Sequence, residues 1–204
     1  MNRLVVALSK GRLLIETLNI FKGKGIDIQF PQKEGRKLYF DGWKKSLRFI
    51  IVRAQDVPTY VEYGAADLGV AGYDVLREQN RDLYELLDLN IGHCKMVVAG
   101  KDDVISSIGP LRIATKFPNI AKNFFTEEGM NVEIIKLYGS VELAPLLGIS
   151  DWIVDITSTG KTLKENGLKV IREIFTSTAY LVASKGSYHT KHNEIKKLMD
   201  ILSR

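Results

Sequence analysis

Seven short runs, 4–8, 47–52, 68–71, 96–99, 111–114, 132–137 and 152–156, are rich in Val, Ile and Leu and apolar at nearly every position. A strand with one wet face alternates apolar and polar residues, whereas an unbroken apolar run needs cover on both faces. The chain is therefore expected to fold as an α/β protein with parallel or mixed sheets. Helical patterns fill the gaps. Residues 12–22 carry Leu14, Leu18 and Phe21 at helical spacing, and 56–63 opens with Asp56 as N-cap and Pro58 in the first turn. Residues 118–128 open with Pro118 and stop at Gly129, and 187–203 sets Ile195, Leu198, Met199 and Leu202 on one face. The segment 168–184 reads as strand again.

This order, βαβ, an extended stretch near 83–99, then a second βαβ series, predicts two lobes. Residues 1–91 with 178–204 form lobe 1, residues 92–177 form lobe 2, and a ligand is expected in the cleft between them. The 204 residues, 45% hydrophobic, suffice for one large core or two small lobes.

The formal net charge of +5 points to an anionic partner, but the basic residues are spread along the chain. No block of five like charges marks a nucleic-acid tail, so a small polyphosphate fits better than a polymer. Cys94 is the single cysteine, which excludes an intrachain disulfide and a cysteine metal cluster and suits a reducing cytosol. The N-terminal apolar run is cut short by Lys10 and Arg12, unlike a secretory signal, and no run approaches the roughly 20 residues that span a bilayer. The expectation is a soluble cytoplasmic protein with neither membrane nor nucleic-acid partner.

The most suggestive local feature is Asp155-Ile156-Thr157-Ser158-Thr159-Gly160-Lys161-Thr162, which follows a buried strand and leads into a helical pattern. Such a turn gathers backbone N–H groups and a helix dipole around one point, a cradle for phosphate. The alternative is an ordinary Ser/Thr N-cap. A nucleotide P-loop is excluded, because that motif needs glycine where Asp155 stands.

Three further clusters carry chemistry. Ser9-Lys10-Gly11-Arg12 puts two cations around a glycine at the carboxyl end of the first strand; the alternative is a solvated corner. Arg53 stands at the end of another buried strand, where its guanidinium can fork onto a phosphate or pair with Asp56. In Gly64…Asp67-Leu68-Gly69…Gly72-Tyr73-Asp74, Gly72 permits a turn close to a ligand, and Asp74 either contacts it or caps a helix.

Taken together with Ala114-Thr115-Lys116-Phe117-Pro118 and Gly139-Ser140-Val141-Glu142-Leu143-Ala144-Pro145, these motifs run in order over about residues 4–185. The set resembles ATP phosphoribosyltransferase, and more narrowly the catalytic subunit of its short form. Ser9 stands where the family often has proline. The resemblance implies two α/β lobes like a type II periplasmic binding protein, with mixed sheets and an interlobe cleft. It implies transfer of phosphoribosyl from phosphoribosyl pyrophosphate to N1 of ATP, the first step of histidine biosynthesis, with release of pyrophosphate. The long form adds a C-terminal histidine-binding domain, for which 204 residues leave no room. The short form pairs with a regulatory subunit resembling histidyl-tRNA synthetase, four chains plus four, and a homodimer is expected for the subunit alone.

Adenine N1 is unprotonated at neutral pH, so attack needs no strong base, and His93, His189 and His192 read as surface or packing residues. The barrier lies in separating pyrophosphate from a ribose that gains positive charge. Arg53, Lys10, Arg12 and Arg36 are the expected polyphosphate contacts, with Arg53 at the leaving group. Thr157, Ser158, Thr159, Gly160, Lys161 and Thr162 are expected to hold the 5′-phosphate, with Asp155 on the ribose hydroxyls. Gly72, Asp74, Ser140 and Glu142 are expected on the ATP side. Mg²⁺ is expected to arrive on the substrate phosphates, with no metal ligand from the protein. The alternatives are a solute-binding protein without chemistry, or a phosphoribosyltransferase for another base, whose usual pair of adjacent acids is absent before this loop.

Overall fold

The structure, a computed structural model, describes residues 3–28, 38–43, 46–102 and 109–204. In chain order the first elements are β1 (Leu4–Ser9), α1 (Arg12–Gly23), β2 (Tyr39–Gly42), β3 (Leu47–Val52), α2 (Val57–Glu62), β4 (Leu68–Gly72), α3 (Tyr73–Gln79) and β5 (Leu83–Asp88). There follow β6 (Cys94–Gly100), β7 (Leu111–Thr115), α4 (Pro118–Glu127), β8 (Val132–Lys136), α5 (Leu143–Leu146), β9 (Trp152–Thr157), α6 (Lys161–Glu165) and β10 (Lys169–Ser177). The chain closes with β11 (Ala179–Ser184), α7 (Lys185–Thr190) and α8 (His192–Leu202). It divides into two compact units, residues 1–92 with 178–204, and residues 93–177.

The first unit is built on a mixed sheet in the order β2-β3-β1-β4-β11-β5. β1 runs parallel to β3 and β4, while β2 and β11 are antiparallel to their neighbours. The side-chain alternation of a strand explains why β1 is apolar throughout: Leu4, Val6 and Leu8 enter the core that also holds Phe21, Phe49 and Leu198. Ala7 faces the opposite core, with Val57, Val61 and Val182. Buried Asp67 ties the C-terminal helices to this sheet, accepting from Val5 N at 2.8 Å, Lys191 Nζ at 2.8 Å and Ser187 Oγ at 3.2 Å.

The second unit repeats the logic with a sheet in the order β10-β6-β9-β7-β8, of which β9-β7 and β7-β8 are parallel. Trp152 and Val154 of β9 pack with Met96, Val98 and Phe125 on one side. Ile153 packs with Val97, Ala99 and Leu163 on the other. Each unit thus has a sheet covered on both faces, as the apolar runs require. Parallel strands lie at the middle of the first sheet and on one side of the second, where β9 is antiparallel to β6.

Several local expectations are corrected. Asp56 occupies the N-cap position of α2 but makes no side-chain cap bond. Asp74 lies in the first turn of α3, whose N-cap is Gly72. The C-terminal pattern forms α7 and α8 in place of one helix, broken at Lys191, whose ammonium is drawn to Asp67. Among the described residues no helix is long and apolar enough to cross a membrane.

Candidate active site

In the first unit the functional side chains are placed by β1 and β3. The parallel register sets Ser9 beside Val52, and Lys10 N donates to Val52 O at 3.1 Å. Lys10 and Arg53 therefore leave the sheet side by side at the carboxyl ends of neighbouring strands. Both are exposed, and both line a cavity of about 350 Å³ with Leu38, Tyr39, Asp56 and Tyr60. Arg53 forms no ion pair with Asp56, and neither cation has a carboxylate partner among the described residues. Two cations without ion-pair partners at the carboxyl ends of neighbouring strands suit an anion, and a planar guanidinium can bind two phosphate oxygens at once.

Arg12 takes no part in that cavity: its Nε lies 3.2 Å from Glu16 Oε1, one turn along α1. Glu16 in turn accepts from Gly92 N at 2.7 Å. Arg36 lies outside the described residues. Gly72 closes β4, and a Cβ there would run into the Asp74 carboxylate, which is buried. A side chain at that turn would have to displace the Asp74 carboxylate.

In the second unit β9 carries Asp155 to its carboxyl end, where it is only 5% exposed. Its Oδ1 accepts from Ile156 N at 2.8 Å, and Lys116 Nζ stands 3.8 Å from Oδ2. The loop that follows does not use Ser or Thr as the helix cap. The N-cap of α6 is Gly160, in the left-handed region at φ 72°, with no side-chain cap bond. The hydroxyls instead shape the loop: Thr157 Oγ1 accepts from Gly160 N at 2.9 Å, Thr159 Oγ1 from Lys161 N at 3.4 Å. Ser158 Oγ donates to His93 O at 3.5 Å.

These residues border a cavity of about 210 Å³, with Asp155, Thr157, Ser158, Thr159, Lys161, Thr162 and Glu142 in its wall. Its size is below that of a typical whole-ligand pocket and suits one sugar phosphate better than a nucleotide. Glu142 is at the N-cap position of α5 without a cap bond, which leaves its carboxylate to the cavity. Ser140, at φ 47°, is exposed and does not reach the wall. No cluster of three His, Cys, Asp or Glu side chains able to hold a metal occurs among the described residues.

Three residues that sequence reasoning did not assign a role join these sites: Tyr39 and Tyr60 beside Lys10 and Arg53, and Lys116 behind Asp155. Lys116 carried a usable signal, because it directly follows a buried strand as Lys10 does. The tyrosines carried none, since an aromatic at a strand edge or on a short helix is commonly a packing residue.

The family model described as HisG, ATP phosphoribosyltransferase, matches residues 53–204. The ATP phosphoribosyltransferase of Caldanaerobacter subterraneus subsp. tengcongensis is 53% identical over 195 residues, covering 95% of this chain and 93% of the relative. That of Citrifermentans bemidjiense is 47% identical, covering 98% of this chain and 97% of the relative. Among solved structures, a chain of the ATP phosphoribosyl transferase (HisG:HisZ) complex from Thermotoga maritima superposes with a TM-score of 0.85 at 38% identity. That match covers 98% of this chain and 96% of the other. The periplasmic aliphatic sulphonate binding protein SsuA from Escherichia coli gives a TM-score of 0.60 at 12% identity, covering 100% of this chain and 72% of the other, a likeness of fold alone.

Proposed function

Because the chain belongs to the family of HisG ATP phosphoribosyltransferases, we propose that its two cavities divide the work of that reaction. The enzyme transfers phosphoribosyl from phosphoribosyl pyrophosphate to N1 of ATP and releases pyrophosphate, the first step of histidine biosynthesis. Adenine N1 brings its own lone pair, so the protein's task is to hold the donor and take up the charge of the departing group.

Lys10 and Arg53 bind polyphosphate, with Arg53 on the leaving pyrophosphate. The observation that carries this assignment is their placement side by side across adjacent parallel strands, with no ion-paired carboxylate on either among the described residues. Residues 157–162 hold the 5′-phosphate, and Asp155 accepts hydrogen bonds from ribose hydroxyls. Support comes from the hydroxyl-braced loop, the small cavity it borders, and the left-handed Gly160 that turns the chain into α6. Gly72, Asp74, Ser140 and Glu142 are proposed for the ATP side, although Gly72 and Asp74 border neither cavity and Glu142, unlike Ser140, borders the donor-loop cavity. Arg12, held by Glu16, is a weaker polyphosphate contact in this scheme.

Mg²⁺ enters as part of the substrates, on their phosphates, since magnesium keeps several waters and few protein ligands. The reaction is placed in the cytoplasm, in keeping with a lone cysteine. A regulatory partner subunit is proposed by analogy with the Thermotoga maritima complex, which pairs HisG with HisZ; its likeness to histidyl-tRNA synthetase and a four-plus-four assembly are proposed from the family resemblance alone. A homodimer is proposed for the subunit alone.

The test is an assay with ATP, Mg²⁺ and phosphoribosyl pyrophosphate, in the presence and absence of the partner, following pyrophosphate release and the ultraviolet change of N1-substituted adenine. Both signals should rise together in wild type. A wild-type rate that is unchanged when Lys10 and Arg53 are both replaced by Ala would remove the assigned division of work.

A further inference from the structure

We infer that Lys116 is a positioning residue for the phosphoribosyl donor, acting through Asp155; the inference rests on the reading of 155–162 as the donor loop. β7 and β9 are parallel, with Thr115 in register with Val154, so the next step along each strand sets Lys116 beside Asp155. The ammonium stands 3.8 Å from Asp155 Oδ2. Lys116 does not border the cavity, whereas Asp155 does.

The backbone on both sides of Lys116 is pinned. Buried Thr115 Oγ1 donates to Val154 O at 2.6 Å and accepts from Phe117 N at 2.8 Å, and Pro118 then opens α4. The backbone of Lys116 is thereby fixed beside β9, the strand that carries Asp155.

A carboxylate with so little exposure stands next to a phosphate cradle, and its negative charge repels an incoming phosphate. Glu142, in the wall of the same cavity, adds to that repulsion. Lys161, at the mouth of the loop, is 3.7 Å from Glu165 and so only partly available to offset it. Lys116 offsets it from outside the cavity and draws Oδ2 to one side, while Ile156 N holds Oδ1. Asp155 then presents a positioned acceptor to the ribose hydroxyls with less repulsion at the phosphate.

The test is steady-state kinetics of the full chain with its partner subunit. Lys116→Met should raise KM for phosphoribosyl pyrophosphate about three- to tenfold, the scale of coupling between two charges in contact at 3.8 Å without a hydrogen bond. KM for ATP should stay within about twofold, as for an interaction confined to one substrate. Lys116→Arg should restore most of the loss. Asp155→Asn should raise the same KM, and the double variant Lys116→Met with Asp155→Asn should be no worse than Asp155→Asn alone. A raised KM in Asp155→Asn with none in Lys116→Met, or two fully additive effects, overturns the role of Lys116. An unaltered KM in Asp155→Asn overturns the donor-loop reading and the inference with it. Thermal midpoints are measured alongside; should Lys116→Met fold poorly, Lys116→Gln carries the same expectations.

Discussion

Lys10 and Arg53 emerge in register from adjacent parallel strands, locked together by the bond from Lys10 N to Val52 O at 3.1 Å. Asp56 lines the same cavity, yet among the described residues neither cation is ion-paired. Like charges at one sheet edge repel unless an anion joins them. Lys10→Ala should therefore weaken substrate binding about tenfold or more, the scale of a lost charge-assisted hydrogen bond. Added salt should reduce the wild-type affinity more steeply than that of Lys10→Ala, and titration of pyrophosphate binding at several ionic strengths checks this.

At the donor loop, Thr157 Oγ1 accepts from Gly160 N and so sets the turn into α6. Thr157→Val keeps the shape and removes the acceptor. KM for phosphoribosyl pyrophosphate should rise about three- to tenfold, from the roughly 0.5–1.5 kcal/mol of one neutral hydrogen bond. KM for ATP should not follow. Equal rises in both would mark a general loosening of the second unit.

Gly100 pairs with Trp152 across β6 and β9. A Cβ added at Gly100 would lie 2.5 Å from Trp152 Cδ1 and 3.1 Å from Ile171 Cδ1. Gly100→Ala should destabilise the second unit by about 1–3 kcal/mol through overpacking. Urea unfolding followed by tryptophan fluorescence reads this, since Trp152 is buried at the site of the clash.

Asp151 supplies a pH-dependent term. Burial alone raises its pKa, but the side-chain and backbone bonds from Arg112 outweigh it and hold the carboxyl below its ordinary 3.8. Arg112 N donates to Oδ2 at 2.9 Å and Nη2 to Oδ1 at 3.2 Å. A depressed folded-state pKa means that the stabilisation is present above 3.8 and is lost as pH falls through the folded value. Asp151→Asn should be less stable than wild type at neutral pH by about 1–3 kcal/mol. The gap should close as unfolding is repeated at progressively lower pH.

The middle of each sheet was legible because burial on both faces leaves no room for polar residues, and the apolar runs say so directly. β2 was not, since Tyr39 is exposed and Asp41 takes ion pairs from Arg3 and Arg48 on a short edge strand. The break at Lys191 was hidden too. It depends on a contact with Asp67, 124 positions away, which no local pattern records. At the candidate site, the residues alone left a solvated corner open for Lys10 and an Asp56 ion pair open for Arg53; it is the strand register that sets the two side by side. Register likewise sets Lys116 beside Asp155, which no local pattern records. The Ser/Thr loop was half legible: its hydroxyls suggested a cap, whereas the backbone gave that position to Gly160 and used the hydroxyls to brace the turn.

The division of work is tested most directly by single-turnover rates at saturating ATP and phosphoribosyl pyrophosphate, compared for wild type, Arg53→Ala and Thr159→Val. Arg53→Ala should be slower by about 10²–10³, the usual cost of losing a preorganised charge contact in the transition state. Thr159→Val, once saturated, should stay within about fivefold of wild type, because a binding contact affects KM and spares the chemical step. The reverse ranking, with Arg53→Ala near wild type and Thr159→Val crippled at saturation, would contradict the assignment.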